Sequence, residues 1–172
     1  MMKNTTGQIK LNPTRAKATV PYTRFMASVD VGFRRLSELA VVPTYQSANA
    51  SGMDLHAAID APMDLAPGAI ALIPLGFSVA IPIGYEGQVR PRSGLATKHG
   101  VTVPNAPGTV DADYRGEMKV ALINLGAAVF RIEPSMRVAQ LVIAPVAHAR
   151  MCVVEELSAT GRGAGGFGST GA

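Results

Sequence analysis

From about Val29 onward, short apolar runs alternate with clusters of Gly, Pro, Asn and Asp. This alternation of β-branched segments and turn residues is typical of sandwiches and barrels made of short strands. The runs that best fit strands are residues 69–74, 76–83, 87–90, 117–124, 129–132, 137–145 and 151–155. The pattern therefore predicts an all-β fold.

A single stretch, residues 93–99, fits a short helix instead, and Gly100 supplies a stop for it. The end of the chain is so rich in Gly that we expect it to be mobile until something orders it. The chain accordingly divides into a basic, disordered N-terminal arm at residues 1–28, a single β domain at residues 29–158 and a Gly-rich mobile tail at residues 159–172.

The net charge of +4 is concentrated at the N-terminus. Residues 1–29 hold five basic side chains and no acidic one, whereas the rest of the chain carries 11 basic and 12 acidic side chains. Because binding to a phosphate backbone requires a concentrated basic face, we expect the folded domain to bind no nucleic acid. The arm itself fits a disordered segment, with an organellar transit peptide as the alternative.

No apolar run approaches the roughly 18 residues that a membrane-spanning helix requires, and the N-terminus lacks the apolar stretch of a secretory signal. The one cysteine, Cys152, has no partner for an internal disulfide, which suits a reducing compartment. These features predict a cytoplasmic protein that is not bound to a membrane.

The common catalytic schemes do not fit the sequence. Its three histidines are scattered without metal-ligand spacing, which argues against a zinc site. The nucleophile elbow of serine hydrolases does not occur, and neither the Walker phosphate loop nor the dinucleotide fingerprint is present in its required strand-to-helix setting. The chemistry must therefore lie in less common motifs.

Two polar islands at the edges of apolar runs suggest a site for a charged phosphate group. In the first, residues 51–55, Asp54 is a carboxylate between apolar neighbours that could hold water on Mg²⁺, although a solvated or turn-capping Asp is the alternative. In the second, Arg92, Ser93 and Gly94 begin the predicted helix, where free N–H groups attract anions. A Ser cap would explain Ser93 and Gly94 but would give Arg92 no role.

A third island, residues 104–117, is more polar than a plain hairpin requires. Asn105 offers a donor and an acceptor for a pyrimidine edge, Asp111 can remove a proton from water, and Tyr114 offers a flat wall for a sugar. This island predicts a nucleoside site with a catalytic carboxylate.

The fourth island contains Arg137 and Gln140, whose side chains point to opposite faces if the strand is regular. Both would then serve one site only if a bulge intervenes; otherwise Arg137 acts structurally, for example by pairing with an acid. The fifth island is the tail, which combines Arg162, Phe167 and hydroxyl side chains as a lid over a nucleotide would.

In this order and spacing, the five islands resemble the five motifs of trimeric dUTPases across residues 29–171. The resemblance implies a distorted jelly-roll or β-clip domain with one short helix, assembled as a homotrimer with shared active sites. It also implies Mg²⁺-dependent cleavage of dUTP between its α and β phosphates to dUMP and pyrophosphate.

The same resemblance implies roles for individual residues. Asp111 would activate the attacking water, and Asp54 would contact Mg²⁺ through water while the substrate phosphates hold the ion. The substrate-binding residues that it implies are Arg92, Ser93, Gly94, Asn105, Gly108, Thr109, Tyr114, Met118, Gln140, Arg162, Phe167, Gly168, Ser169 and Thr170. Two alternatives remain at this point: a related dCTP deaminase, and a catalytically silent nucleotide-binding jelly roll.

Overall fold

The computed structural model describes residues 28–166. Short strands dominate this part of the chain, as the alternation of apolar and turn residues predicted. In chain order the elements are β1 (Gly32–Arg35), β2 (Met53–His56), β3 (Met63–Leu65), β4 (Ile70–Pro74), β5 (Phe77–Ala80), β6 (Tyr85–Pro91), α1 (Ser93–His99), β7 (Val101–Thr102), β8 (Gly108–Val110), β9 (Lys119–Asn124), β10 (Phe130–Ile132) and β11 (Arg137–Pro145). The predicted distorted jelly roll with one short helix is confirmed.

Antiparallel pairing builds these strands into four small sheets. The largest has the order β2-β11-β6-β8, a second has the order β4-β9-β7, and the pairs β1-β5 and β10-β3 complete the set. Alternate residues of the strands point inward, as in β9, where Val120, Leu122 and Asn124 are buried while their neighbours are not. The aliphatic core lies between the sheets and leaves their loops to build the site.

The strand predictions differ in accuracy along the chain. Residues 137–145 form β11 over the predicted range, and β4, β9 and β10 lie inside their predicted runs. The run 76–83 is shorter as a strand, since β5 covers Phe77–Ala80. Five strands of two to four residues, β1, β2, β3, β7 and β8, were not predicted.

The predicted strand at residues 151–155 is wrong for this chain by itself. These residues form no strand, and Met151 and Val153 are almost fully exposed. A strand needs a neighbour for its N–H and C=O groups, and within residues 28–166 no segment pairs with this one.

The helix prediction is confirmed at both ends. Helix α1 ends at Gly100, whose φ of 68° is left-handed and whose N–H donates to Ala96 O. The N–H of Leu125 donates to Gly100 O at 2.9 Å, and a Cβ on Gly100 would lie 2.6 Å from the Gly126 nitrogen. The helix is thereby fixed closely against the turn between β9 and β10. No helix in the described part of the chain has the length and apolar character that crossing a membrane demands.

Candidate active site

Asp54 is the centre of a polar cluster on the largest sheet. It lies in β2, is 2% exposed, and both of its carboxylate oxygens have partners. Its Oδ1 lies 3.5 Å from Arg92 Nε and accepts from Gln140 Nε2 at 3.4 Å, while Oδ2 accepts from Arg137 Nη1 at 3.2 Å. One buried carboxylate thus faces two guanidinium groups, which leaves the cluster with an excess of positive charge.

The structure answers the question of how Arg137 and Gln140 serve one site. The pairing of β11 with β2 shifts register between Arg137 and Ala139, as a β-bulge does. The extra residue turns both side chains toward Asp54. Both expectations therefore hold together: a bulge intervenes, and Arg137 pairs with an acid.

The start of α1 adjoins this cluster. Arg92 has extended backbone angles, makes no side-chain cap bond, and donates through Nη1 to Arg137 O at 3.1 Å. The interpretation of Ser93 as the helix cap is therefore wrong, because Ser93 is already the first helical residue. No atom lies within 4 Å of a Cβ built on Gly94, so the approach to the first-turn N–H groups is open. This end of the sheet is suited to an anion with several oxygens.

A second group of predicted residues surrounds a cavity of about 280 Å³ at the end of β8. Asp111 and Tyr114 line this cavity together with Thr109 and Met118. Tyr114 is 44% exposed, whereas Met118 is 2% exposed and belongs equally to the core. A carboxylate and an aromatic face on one cavity are the groups that positioning a water beside a sugar requires.

The turn that carries Tyr114 is held by its own side chains. The Tyr114 hydroxyl donates to Glu117 O at 2.9 Å, and Arg115 Nη1 donates to Ala112 O at 2.7 Å and to Tyr114 O at 2.8 Å. Glu117 in turn accepts from the Gly76 N–H at 3.2 Å. Sequence reasoning did not single out Arg115 or Glu117, whose only signal was their position beside Tyr114.

Asn105 and Gly108 lie together at the other end of β8. Gly108 is buried opposite Val89, and a Cβ on Gly108 would lie 3.3 Å from both Asn105 Nδ2 and Val89 Cβ. The Asn105 amide therefore packs directly on the Gly108 backbone, at a point where a side chain on residue 108 would press against it.

The two groups of residues lie at opposite ends of β6. Val110, which precedes Asp111, is opposite Gly87 at one end, whereas Gln140 is opposite Arg90 near the other. Arg92 follows five residues after Gly87, which corresponds to roughly 16 Å along an extended strand. The fold thus brings each group together but keeps the two groups apart within one chain.

The tail is separate from both groups. Arg162 Nε donates to Gly165 O at 2.8 Å inside a local turn, and no hydrogen bond joins the described part of the tail, residues 159–166, to the β domain. Arg162 is therefore not brought to either group. The remaining predicted tail residues, Phe167, Gly168, Ser169 and Thr170, lie outside the described residues.

His56 is a site neighbour that sequence reasoning did not use. It lies opposite Arg137 in the sheet, and its Nδ1 is buried with no hydrogen-bond partner in the part of the chain that is described. Burial lowers the pKa of His56 below its usual 6.5; Asp54 opposes that change, and Arg137 and Arg92 add to it. The imidazole is consequently held toward its neutral form.

Comparisons with known proteins agree with this geometry. A model of the dUTPase family matches residues 38–171. A deoxyuridine 5'-triphosphate nucleotidohydrolase of Rhizobium etli is 63% identical over 132 residues, which are 76% of this chain and 85% of that relative.

Two solved structures are similar in fold over most of the chain. A Staphylococcus bacteriophage 80alpha dUTPase with dUPNHPP has a TM-score of 0.76 and 28% identity, and the match covers 83% of this chain and 99% of that one. A mutant dUTPase of phage phi11 of S. aureus, described for its coordination of a structural Mg(II) ion, has a TM-score of 0.69 and 25% identity over 76% and 99% of the two chains. Fold, motifs and relatives agree that this chain belongs to the dUTPase family, the enzymes that hydrolyse dUTP.

Proposed function

We propose that Asp111 activates the water that attacks the α-phosphorus of dUTP, releasing dUMP and pyrophosphate. The observation that carries this proposal is the shared cavity of Asp111 and Tyr114. A water held by the Asp111 carboxylate beside a sugar packed on Tyr114 would lie close to the 5′-phosphate. General-base catalysis by a carboxylate then removes the proton as the new P–O bond forms and the bond to the pyrophosphate leaving group breaks.

The hairpin around β8 is proposed to bind the nucleoside. Asn105 and the backbone at Gly108, which lie in contact with each other, would read the uracil edge. Thr109 and Met118 line the same cavity as Asp111. The Tyr114 ring would pack on the deoxyribose and leave no room for a 2′-hydroxyl. This arrangement supports selection of both the base and the sugar.

The cluster around Asp54 is proposed to bind the triphosphate. Arg92, Ser93, Gly94 and Gln140 surround the open start of α1, and the excess positive charge favours an anionic ligand. For the tail, residues 159–172, the proposal rests on composition: Arg162 would meet the terminal phosphate, Phe167 would stack over uracil, and Gly168, Ser169 and Thr170 would help to close the site.

The separation along β6 supports a shared site in a homotrimer. Under this proposal Asp111 acts on the α-phosphorus, while the Arg92 cluster binds the neighbouring phosphates. In one chain, however, roughly 16 Å of strand separates Arg92 from Gly87, which lies opposite the residue before Asp111. We therefore propose that the nucleoside hairpin of one subunit faces the phosphate cluster of another. The Gly-rich tail of a third subunit would complete the site.

Mg²⁺ is the proposed cofactor, held mainly by the substrate phosphates. The carboxylate of Asp54 has about four lone-pair positions. Gln140 donates to Oδ1 and Arg137 to Oδ2, and Arg92 adds an ion-pair contact to Oδ1. One position on Oδ2 stays free to accept from a water on the ion, so this residue fits contact through water and not direct ligation. When bound, Mg²⁺ would neutralise charge on the triphosphate.

We also propose domain boundaries and a cellular location for the protein. The family match begins at residue 38, which supports the separation of the arm at residues 1–28 from the β domain at residues 29–158. A cytoplasmic location is proposed from the single, exposed Cys152.

A substrate panel tests the assignment. The purified protein is incubated with Mg²⁺ and, separately, with dUTP, dCTP, dTTP and UTP, and nucleoside monophosphate, pyrophosphate and ammonia are measured. Formation of dUMP and pyrophosphate from dUTP alone, abolished by EDTA, is the expected result. Ammonia from dCTP would instead assign a deaminase, and dUTP binding without any product would assign a silent binding protein.

A further inference from the structure

Gly116 lies directly beside the ring of Tyr114. A Cβ built on Gly116 would lie 2.6 Å from Tyr114 Cζ and 2.9 Å from Cε2, which is closer than real Cβ contacts come. The backbone of Gly116 is not in the left-handed region, so the conformation itself would tolerate a side chain. The three atoms nearest to that Cβ, including the hydroxyl oxygen, all belong to Tyr114, so a side chain at residue 116 would collide with the ring in its present position.

The opposite restraint on the ring comes from its hydroxyl group. The Tyr114 hydroxyl donates to the backbone oxygen of Glu117 at 2.9 Å. The side-chain carboxylate of the same residue accepts from the Gly76 N–H at 3.2 Å and lies 3.5 Å from Lys119 Nζ. The hydroxyl is therefore bound to a residue whose own side chain is anchored at the turn between β4 and β5.

These two restraints matter because the surrounding protein does little to hold the ring. Tyr114 is 44% exposed, so packing covers only about half of its surface. A wall that rejects a 2′-hydroxyl has to stay within a fraction of an ångström of its place, since a single added oxygen is all that distinguishes the two sugars.

We propose that Gly116 is a specificity-determining residue, which sets the position of Tyr114 and thereby the rejection of ribonucleotides. The inference rests on the proposed role of Tyr114 at the sugar. A side chain at residue 116 displaces the ring outward, breaks its hydrogen bond to Glu117, and opens room beside the 2′ carbon of the substrate.

The test compares kcat/KM of the wild type and of Gly116→Ala for dUTP, UTP and dCTP. The ratio of dUTP to UTP is expected to fall about tenfold, which is within the range that one pocket contact contributes. The ratio of dUTP to dCTP is expected to stay the same, because Asn105 and Gly108, which would read the base, are not displaced. This second ratio is the internal control.

The variant Tyr114→Phe provides an independent measurement if Gly116→Ala folds poorly. It keeps the ring and the glycine but removes the hydroxyl that binds Glu117, so a smaller fall of about threefold in the ratio of dUTP to UTP is expected. Both variants should keep the melting temperature of the wild type within a few degrees, because the ring is half exposed.

The outcomes separate this inference from the proposed function. An unchanged ratio of dUTP to UTP in both variants, or an equal loss for both nucleotides, would overturn the role of Gly116 while wild-type dUTP hydrolysis still stands. A wild type that hydrolyses UTP as fast as dUTP would remove Tyr114 from the sugar and the inference with it.

Discussion

Asp54 and Arg137 are 83 positions apart in the chain, yet Arg137 Nη1 lies 3.2 Å from Asp54 Oδ2. The bulge at the start of β11 produces this pairing, because a regular strand would turn Arg137 and Gln140 to opposite faces. The bulge therefore decides whether Arg137 joins Arg92 as a second cation beside the buried acid of β2.

Replacement of Arg137 by Ala should destabilise the fold. Asp54 keeps Arg92 and Gln140 but loses one charged partner in a nearly dry environment, so the free energy of unfolding should fall by about 1–3 kcal/mol. Urea unfolding measures the change. The matched control is Arg131→Ala, whose ion pairs with Asp64 and Glu133 are exposed and whose cost should stay below about 0.5 kcal/mol. Equal losses in the two variants would contradict a special role for the pairing of Arg137 with the buried Asp54.

Replacement of Asp111 by Asn should stop turnover while sparing binding. The amide is similar in shape but cannot accept the proton of the attacking water, so kcat should fall by roughly 10³-fold. Binding of a non-hydrolysable dUTP analogue, measured by calorimetry, should remain close to that of the wild type. Asp113→Asn, two positions further in the same exposed turn, is the control and should keep its turnover. Full activity of the Asp111 variant would remove this residue as the base.

The free energy of unfolding should depend on pH through His56. Burial lowers the pKa of this imidazole in the folded state, so below about pH 6.5 the unfolded chain binds the proton more readily than the folded chain does. Stability should therefore fall as the pH drops from 7 through 6, and the slope should end below the lowered pKa of the folded state.

The variant His56→Gln isolates this contribution, because Gln does not titrate. Urea unfolding at a series of pH values should show a shallower decline for this variant than for the wild type. A decline of identical slope in both proteins would show that another group is responsible.

Replacement of Asn124 by Ala should be among the most damaging single changes. This side chain is fully buried, donates to Leu65 O at 2.9 Å and to Ala128 O at 2.8 Å, and accepts from the Gly126 N–H at 2.9 Å. Its loss leaves two carbonyls and one N–H without their partner, so we expect a cost of about 3 kcal/mol in urea unfolding. A loss below 1 kcal/mol would mean that water replaces the amide.

The sequence predicted those parts of the fold that depend on local patterns. The helix at Ser93–His99 with its stop at Gly100 follows from neighbouring residues, and so does the nine-residue strand β11. Strands of two or three residues, such as β7 and β8, are too short to show the alternation of apolar and polar positions that identifies a strand. The apolar run at residues 151–155 predicted a strand, but no segment among residues 28–166 pairs with it.

The candidate site was predictable by residue type but not by arrangement. Asp54, Arg92 and Asp111 were identified from their chemistry, whereas the close contact of Gly116 with Tyr114 depends on three-dimensional placement. The choice between a bulge and a structural Arg137 also required the register of β11 against β2, which no local pattern contains.

The separation of the two groups along β6 means that two differently inactivated chains can complement each other. Under the shared-site proposal, an Asp111→Asn chain still carries an intact Arg92 cluster, and a chain altered at Arg92 still carries an intact carboxylate. Unfolding and refolding the two inactive proteins together would create hybrid assemblies in which each chain supplies the half that the other lacks. Such complementation would restore part of the turnover, so two loss-of-function alleles of this gene need not add up to a null phenotype.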